Sequence, residues 1–241
     1  MSNARSPTRS APPHPFPLPF DAVAFEGRLR ALADRDPFLI PRDVIPPHFN
    51  RSSVLICFWR DAADLRVLFT KRAESLRGHP GQMSFPGGRL EKGESRVEAA
   101  LRESEEEVGL SATRVEVLGR LDDAWSGAGH LLVPVVGWLD DVPDLTPNPA
   151  EVAEIHTPGI AGLFDPAVFE REERTFAGDV YYNSILRWEG GHVFGLSTDL
   201  LIEVIQWGIG LEDHHGPGRA RSLTSHLRHK AEEANTDRGG G

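Results

Sequence analysis

Glu103, Glu106 and Glu107 stand within one short run, RESEEEVGL from Arg102 to Leu110, and a lone glutamate, Glu94, follows a glycine turn just upstream. At helical spacing the three glutamates of the run share one arc, where like charges three and four residues apart repel by a few tenths of a kcal/mol per pair. A solvated face is the ordinary fate of such a charge run, but two details point to a ligand instead. Arg102 lies four residues before Glu106 and can pair with it, fixing that side chain in place. The preceding loop brings Glu94 and backbone carbonyls to the same end. Hard oxygen ligands with incomplete internal neutralisation suit Mg²⁺ or Mn²⁺, which keep some waters and share the rest of their shell with substrate phosphates.

Cations gather just before this acidic run. Lys71, Arg72, Arg77, His79 and Arg89 flank the carboxylates in a chain whose formal net charge is −10. That net charge repels an anionic substrate at long range, but salt screens it beyond about 8 Å, so local cations decide binding. Arginine grips phosphate oxygens through two parallel hydrogen bonds. Gly78, Gly81, Gly87 and Gly88 mark backbone that turns sharply or approaches a ligand closely.

The elements that must position these groups follow from periodicity and caps. Ser95 with Glu98 three residues on is a capping box, and Gly109 suits a left-handed helix end, so a helix is predicted over 95–108. Val97, Ala100, Leu101, Ser104 and Val108 form its core stripe. SSVLICFW and LRVLFTKR read as strands joined by the turn RDAAD, with further strands at RVEVLGRL, LLVPVVGWL and VAEIHT and a hairpin of VYYNSILRW and HVFG. Helices are predicted over 20–34, 160–169 and 197–207. Strands interleaved with helices indicate an α/β sandwich.

Residues 1–18, rich in Pro, Ser and Arg, and the tail 212–241 are expected to be disordered around a domain spanning 19–211. Residues 1–18 contain no apolar run long enough for a signal peptide or membrane span, and no membrane partner is expected. Cys57, the single cysteine, reads as a buried hydrophobe in a reducing cytoplasm. His214 and His215 read as part of a polar tail. The basic tail residues Arg219, Arg221 and Arg228 lack interleaved aromatics, and the chain is acidic overall, so no nucleic-acid partner is expected.

The stretch from Gly88 to Leu110 resembles the Nudix box in all its residue-specific positions, Gly88, Glu94, Arg102, Glu103, Glu106, Glu107 and Gly109, with Ser104 departing from an aliphatic one. The resemblance implies an α/β/α sandwich with a mixed central sheet and hydrolysis of a nucleoside diphosphate linked to another moiety. It makes Glu103 and Glu107 the main metal ligands and Glu106 a third ligand or water-orienting carboxylate, with Arg102 holding the carboxylates in register. Divalent ions so held polarise bridging phosphates and lower the pKa of a coordinated water. The proton acceptor is left open between Glu94 and Glu106 in the box and Glu151 or Glu154 in NPAEVAEIHTP. Upstream, Thr70, Arg72, Leu76, Arg77, His79, Gly81, Phe85, Pro86, Gly87 and Gly88 resemble the signature of the coenzyme A diphosphatase branch, with Ala73 where a serine is usual. This implies coenzyme A or acyl-CoA as the small-molecule substrate, bound by Arg72, Arg77, His79, Phe85, Gly87 and Gly88. ADP-ribose, a dinucleotide or a nucleoside triphosphate is the alternative substrate, and a non-catalytic ligand-binding protein the remaining one. Related proteins are commonly dimers, so a homodimer is expected, although the sequence marks no interface.

Overall fold

In the computed structural model the described residues are 20–211, apart from 38, 41–44, 46, 48, 63, 77, 127–129 and 177–178. The segments 1–18 and 212–241, expected to be disordered, therefore lie outside the described residues, as do His214, His215 and the tail arginines.

The centre is a six-stranded mixed sheet. Strand β1 (Asn50–Asp61) turns back into β2 (Asp64–Val67) and runs parallel to β8 (His130–Leu139). Beyond β8 lie β6 (Glu116–Arg120) and β7 (Ala124–Ser126), both antiparallel to it. The other edge of β1 also takes β5 (Gly87–Arg89), with Ser53 opposite Gly88 and Val54 opposite Gly87. A three-stranded sheet joins β3 (Phe69–Arg72) to β4 (Met83–Ser84) and β9 (Val152–His156). Another joins β10 (Phe169–Phe176), β11 (Asp179–Trp188) and β12 (Gly191–Phe194).

Side chains alternate across β1, and the two faces feed two cores. Val54, Ile56 and Phe58 pack with Phe25 and Leu29 of α1 (Ala22–Arg30) and with Leu200, Leu201, Val204 and Ile205 of α3 (Leu196–Gly208). Leu55, Cys57 and Trp59 pack with Ala100 and Val108 of α2 (Arg96–Val108) on the opposite face. The result is the expected α/β/α sandwich with a mixed central sheet. No described helix is long and apolar enough to cross a membrane.

Helix α2 forms where the sequence places it. The Ser95 side chain accepts from the Glu98 N–H, the Glu98 carboxylate accepts from the Ser95 N–H, and Gly109 ends the helix with φ 70°. Its stripe is also as expected: Ala100, Ser104 and Val108 are buried, while Val97 and Leu101 pack at the margin. Ser104 is tolerated there because its hydroxyl donates to the Ala100 carbonyl at 2.7 Å.

Three expectations are corrected. Residues 160–169 do not form a helix; they make two 3₁₀ turns, Ala161–Phe164 and Pro166–Val168, before β10 begins. Pro166 lacks an N–H and holds Asp165 extended at ψ 123°, which breaks the helical pattern. The strand expected over 65–72 divides at Leu68 between two sheets, because β5 occupies the β1 edge at residues 52–54 and β3 turns away to β9. The helix expected over 20–34 starts at Ala22 behind its Asp21 cap and tightens to a 3₁₀ turn at Ala31–Asp34. Replacing Ser95 with Ala removes one half of the α2 capping box, and denaturant unfolding should show a loss of about 1 kcal/mol.

Candidate active site

Helix α2 lies against β5, and this contact is set by two glycines. A Cβ on Gly88 would overlap the Glu103 carboxylate, and a Cβ on Gly87 would overlap the Ser53 carbonyl and Val54. Glycine here lets the helix bring its acidic side chains directly onto the strand backbone. The Gly87 N–H donates to the Glu107 carboxylate at 3.2 Å.

The third wall comes from the chain after β8. Thr146 N–H donates to the Val108 carbonyl and Asn148 N–H to the Glu107 carbonyl, satisfying acceptors that the end of α2 leaves open. The Glu151 N–H then donates to the Asn148 carbonyl, and the Glu151 carbonyl accepts from the Ala73 N–H. Capping the helix end thus fixes Glu151 beside it. Carboxylate oxygens of Glu103, Glu107 and Glu151 all lie within 4.8 Å of one another.

Burial and mutual repulsion act strongly on this trio. Glu107 is 4% exposed. Burial first, and then the charges of Glu103 and Glu151, push its pKa from 4.5 up to about 8, against the lowering effects of the Gly87 N–H and of Arg72. Glu103 is also shifted upward, again chiefly by burial, with Arg102 opposing. Three hard oxygen donors that resist ionising together are the donor set a small divalent cation suits, so the residues present fit Mg²⁺ or Mn²⁺.

Arg102 is the fixed point of the remaining acidic groups. It reaches Glu94 at 2.8 Å, Glu103 at 3.0 Å, Glu106 at 3.0 Å and the Arg89 carbonyl at 3.1 Å. The hydrogen bond from Arg102 is the main reason the Glu94 pKa is lowered. Glu106, expected as a third ligand or water-orienting group, stays on the solvent side with Arg102, and Glu151 occupies the third place in the cluster.

The predicted cations divide. Arg72 donates to the Gly78 carbonyl at 3.2 Å, and its charge counts among those that lower the Glu107 pKa. Lys71 and Glu154 pair at 2.6 Å, and Glu154 also meets His156 at 3.0 Å. Opposed positions on β3 and β9 share a face, and Lys71, Glu154, Phe69 and His156 lie together on the face away from α2. Glu154, one of the loop candidates for the proton acceptor, is therefore turned from the cluster. Phe85, expected to touch substrate, is 2% exposed in the core, stacked on Phe69 at 4.6 Å between ring centres. His79 is exposed with φ 55°, its ring 6.5 Å from that of His130, a neighbour the sequence did not single out. Arg77 lies outside the described residues.

A mixed α/β/α sandwich that sets clustered carboxylates from one helix against a glycine strand defines a small class of proteins. The NUDIX domain pattern matches residues 49–177, and the chain belongs to that family. It is 47% identical over 90 residues to the uncharacterized Nudix hydrolase NudL of Photorhabdus laumondii, covering 37% of this chain and 48% of that protein. It is 35% identical over 130 residues to the mouse peroxisomal coenzyme A diphosphatase NUDT7, covering 54% of this chain and 55% of that one. The chain thus spans about half the length of each of these two curated relatives. A crystal structure of a MutT/nudix family protein from Enterococcus faecalis matches with TM-score 0.43 at 17% identity, over 76% of this chain and 73% of that one.

The raised pKa of Glu107 has a consequence for metal-free protein. Between 4.5 and about 8 the folded state holds a proton that the unfolded chain has lost, so stability falls as pH rises through this window. Thermal melts in chelator should show Tm declining from pH 5 to 8, and Glu107→Gln should flatten that decline. Added Mg²⁺ or Mn²⁺ should raise Tm more at pH 8 than at pH 5.5, with proton release on binding measured by calorimetry in buffers of different ionisation enthalpy.

Proposed function

We propose that the protein is a divalent-cation-dependent diphosphatase acting on coenzyme A and acyl-CoA, releasing 3′,5′-ADP and 4′-phosphopantetheine or its acylated form. The observation that carries the reading is the trio Glu103, Glu107 and Glu151 within 4.8 Å, with Arg72 acting on it. Glu103 and Glu107 would hold Mg²⁺ or Mn²⁺. When bound, the cation offsets the carboxylate charge and stabilises negative charge as a bridging P–O bond breaks. Water attacks one phosphorus of the diphosphate, the bridging oxygen leaves with the other phosphate, and Glu151 takes the proton of the attacking water. Glu94 suits that role poorly, since its two hydrogen bonds from Arg102, of 2.8 and 3.1 Å, lower its pKa and so weaken it as a base.

Two observations support coenzyme A in particular. The segment with the coenzyme A signature folds back over the site: Gly81 N–H donates to the Arg72 carbonyl and Arg72 N–H to the Gln82 carbonyl, while Ala73 is tied to Glu151. On this reading Arg72, with Gly87 and Gly88, would meet a diphosphate beside the carboxylates, and the exposed His79 would extend the basic edge. The likeness to the mouse coenzyme A diphosphatase points the same way. A homodimer and a cytoplasmic location complete the reading. The buried Cys57, whose thiol burial pushes up to about 12, is inert and suits a reducing compartment.

Incubating the protein with coenzyme A and Mg²⁺ or Mn²⁺ should yield 3′,5′-ADP; none at high protein concentration would sink the assignment. Glu103→Gln and Glu107→Gln should each lower kcat by at least about 10², as expected when a major electrostatic contribution is lost. Glu151→Gln should lower kcat comparably while calorimetry still shows cation binding, which separates proton acceptor from ligand. Arg72→Ala should mainly raise KM.

A further inference from the structure

Asp123 is a buried charge that the carboxylate site does not use. It stands just before β7 and is 2% exposed. Its carboxylate accepts from the Ile40 N–H at 3.0 Å and meets Arg120 at 3.1 Å and Arg96 at 3.6 Å. Burial pushes the Asp123 pKa up, and Arg96, the Ile40 N–H and Arg120 oppose that shift. Such an ion pair adds little net stability over an apolar contact; what distinguishes this one is where it holds Arg96.

Arg96 is the first residue of α2. At 100° per residue Arg96, Glu103 and Glu107 fall within about 40° of one another, on the side of the helix that also carries the buried Ala99 and Ala100. The sheet beneath runs in step with them. Ser53 lies opposite Gly88 on one side and Val133 on the other. Strand β7 opposes β8 at Ala124 and Leu132, so Asp123, one residue earlier, comes beside Val133. Gly88, Ser53, Val133 and Asp123 thus form one row across β5, β1, β8 and the start of β7, roughly 14 Å at the usual strand spacing. From Arg96 to Glu103 the helix advances roughly 10 Å, and the side chains at the two ends make up the difference. One end of the span is Arg96 on Asp123, and the other is the Glu103 carboxylate seated on Gly88. Between these ends both elements present small buried residues, Ala99 and Ala100 on the helix and Ser53 in the row, which permit close approach.

We propose that Asp123 is a positioning residue for the cation site: by holding Arg96 it fixes the rotation and advance of α2 across the sheet, and so the place at which Glu103 and Glu107 meet Glu151. A displacement of about 1 Å is enough to spoil a site of this kind. The inference rests on the cation-binding reading above and not on the choice of coenzyme A as substrate.

Mn²⁺ affinity, read by electron paramagnetic resonance on the full chain well below Tm, tests this without any substrate. Asp123→Asn should raise the Mn²⁺ Kd at least about 10-fold, the loss usual when a group supporting a metal ligand is removed. Since that change removes a buried charge partner and can prevent folding, Arg96→Met is the deciding variant. Arg96 is partly exposed, and methionine there removes the tie while Asp123 keeps Arg120. Arg96→Met should weaken Mn²⁺ comparably with Tm nearly unchanged, and Arg96→Lys should recover most of the affinity. The double variant should bind no worse than Asp123→Asn alone, as for two groups acting through one contact. Val204→Ala, in the core on the opposite face of the sheet, should lower Tm and leave the Kd unchanged. An unchanged Mn²⁺ Kd in Arg96→Met would overturn the assignment, as would an equal loss in Val204→Ala. Mn²⁺ binding by a wild type that leaves coenzyme A intact would overturn the substrate reading alone, and no Mn²⁺ binding by wild type would overturn both.

Discussion

Everything in this structure bends around one unfavourable placement, the burial of the Glu107 carboxylate beside Glu103 and Glu151. Desolvation and like charge both oppose ionisation there, and the C-terminal end of α2, where helix dipoles leave partial negative charge, opposes it further. The groups that offset these costs are few: the Gly87 N–H, Arg72 at a distance, and Arg102 through Glu103. A fold that retains such a group is built to be completed by a cation. The glycine pair of β5 makes the placement feasible, since any larger residue at Gly88 would push the Glu103 carboxylate out of place.

The arrangement also shows how secondary structure ends become chemistry. Helix α2 leaves carbonyls open at its last turn, and the chain at Thr146 and Asn148 closes them. That local requirement fixes the start of β9, and with it the only loop glutamate among the described residues that joins the helix pair. A bulge between Lys71 and Arg72 then shifts the β3 and β9 register. Arg72 consequently acts on the carboxylate cluster while Lys71, its neighbour, serves an ion pair with Glu154 on the opposite face. Adjacent residues of the same charge thus take unrelated roles.

How much of this could be read beforehand depends on how local each cause is. Helix α2, its capping box, its Gly109 stop and the Arg102 to Glu106 pair are settled within a few residues, and all were legible in the sequence. The choice between Glu151 and Glu154 was not, because it depends on register with β3, which no spacing reveals. Phe85 looked like a binding residue from its company in the signature, yet its ring is taken by Phe69 and the core. The periodicity of residues 160–169 was helical, but Pro166 overrode it through the residue before it. The split at Leu68 came from competition with β5 for the edge of β1, a contact far away in the chain.

On the proposed function, the charge balance of the site would link cation and substrate. Glu94, Glu103, Glu106, Glu107 and Glu151 face Arg102 and Arg72, so carboxylates exceed guanidiniums even with both cations fully engaged. A diphosphate alone would be repelled by that excess, and a cation alone would leave coordination positions to water. On the proposed function each ligand would therefore improve the site for the other, and by linkage the improvement would be reciprocal. Arg102 holds the outer carboxylates of that cluster together. Its fork spans Glu94, Glu103 and Glu106 together with the Arg89 carbonyl, and a lysine, with one compact charge, could not hold that many groups in fixed directions.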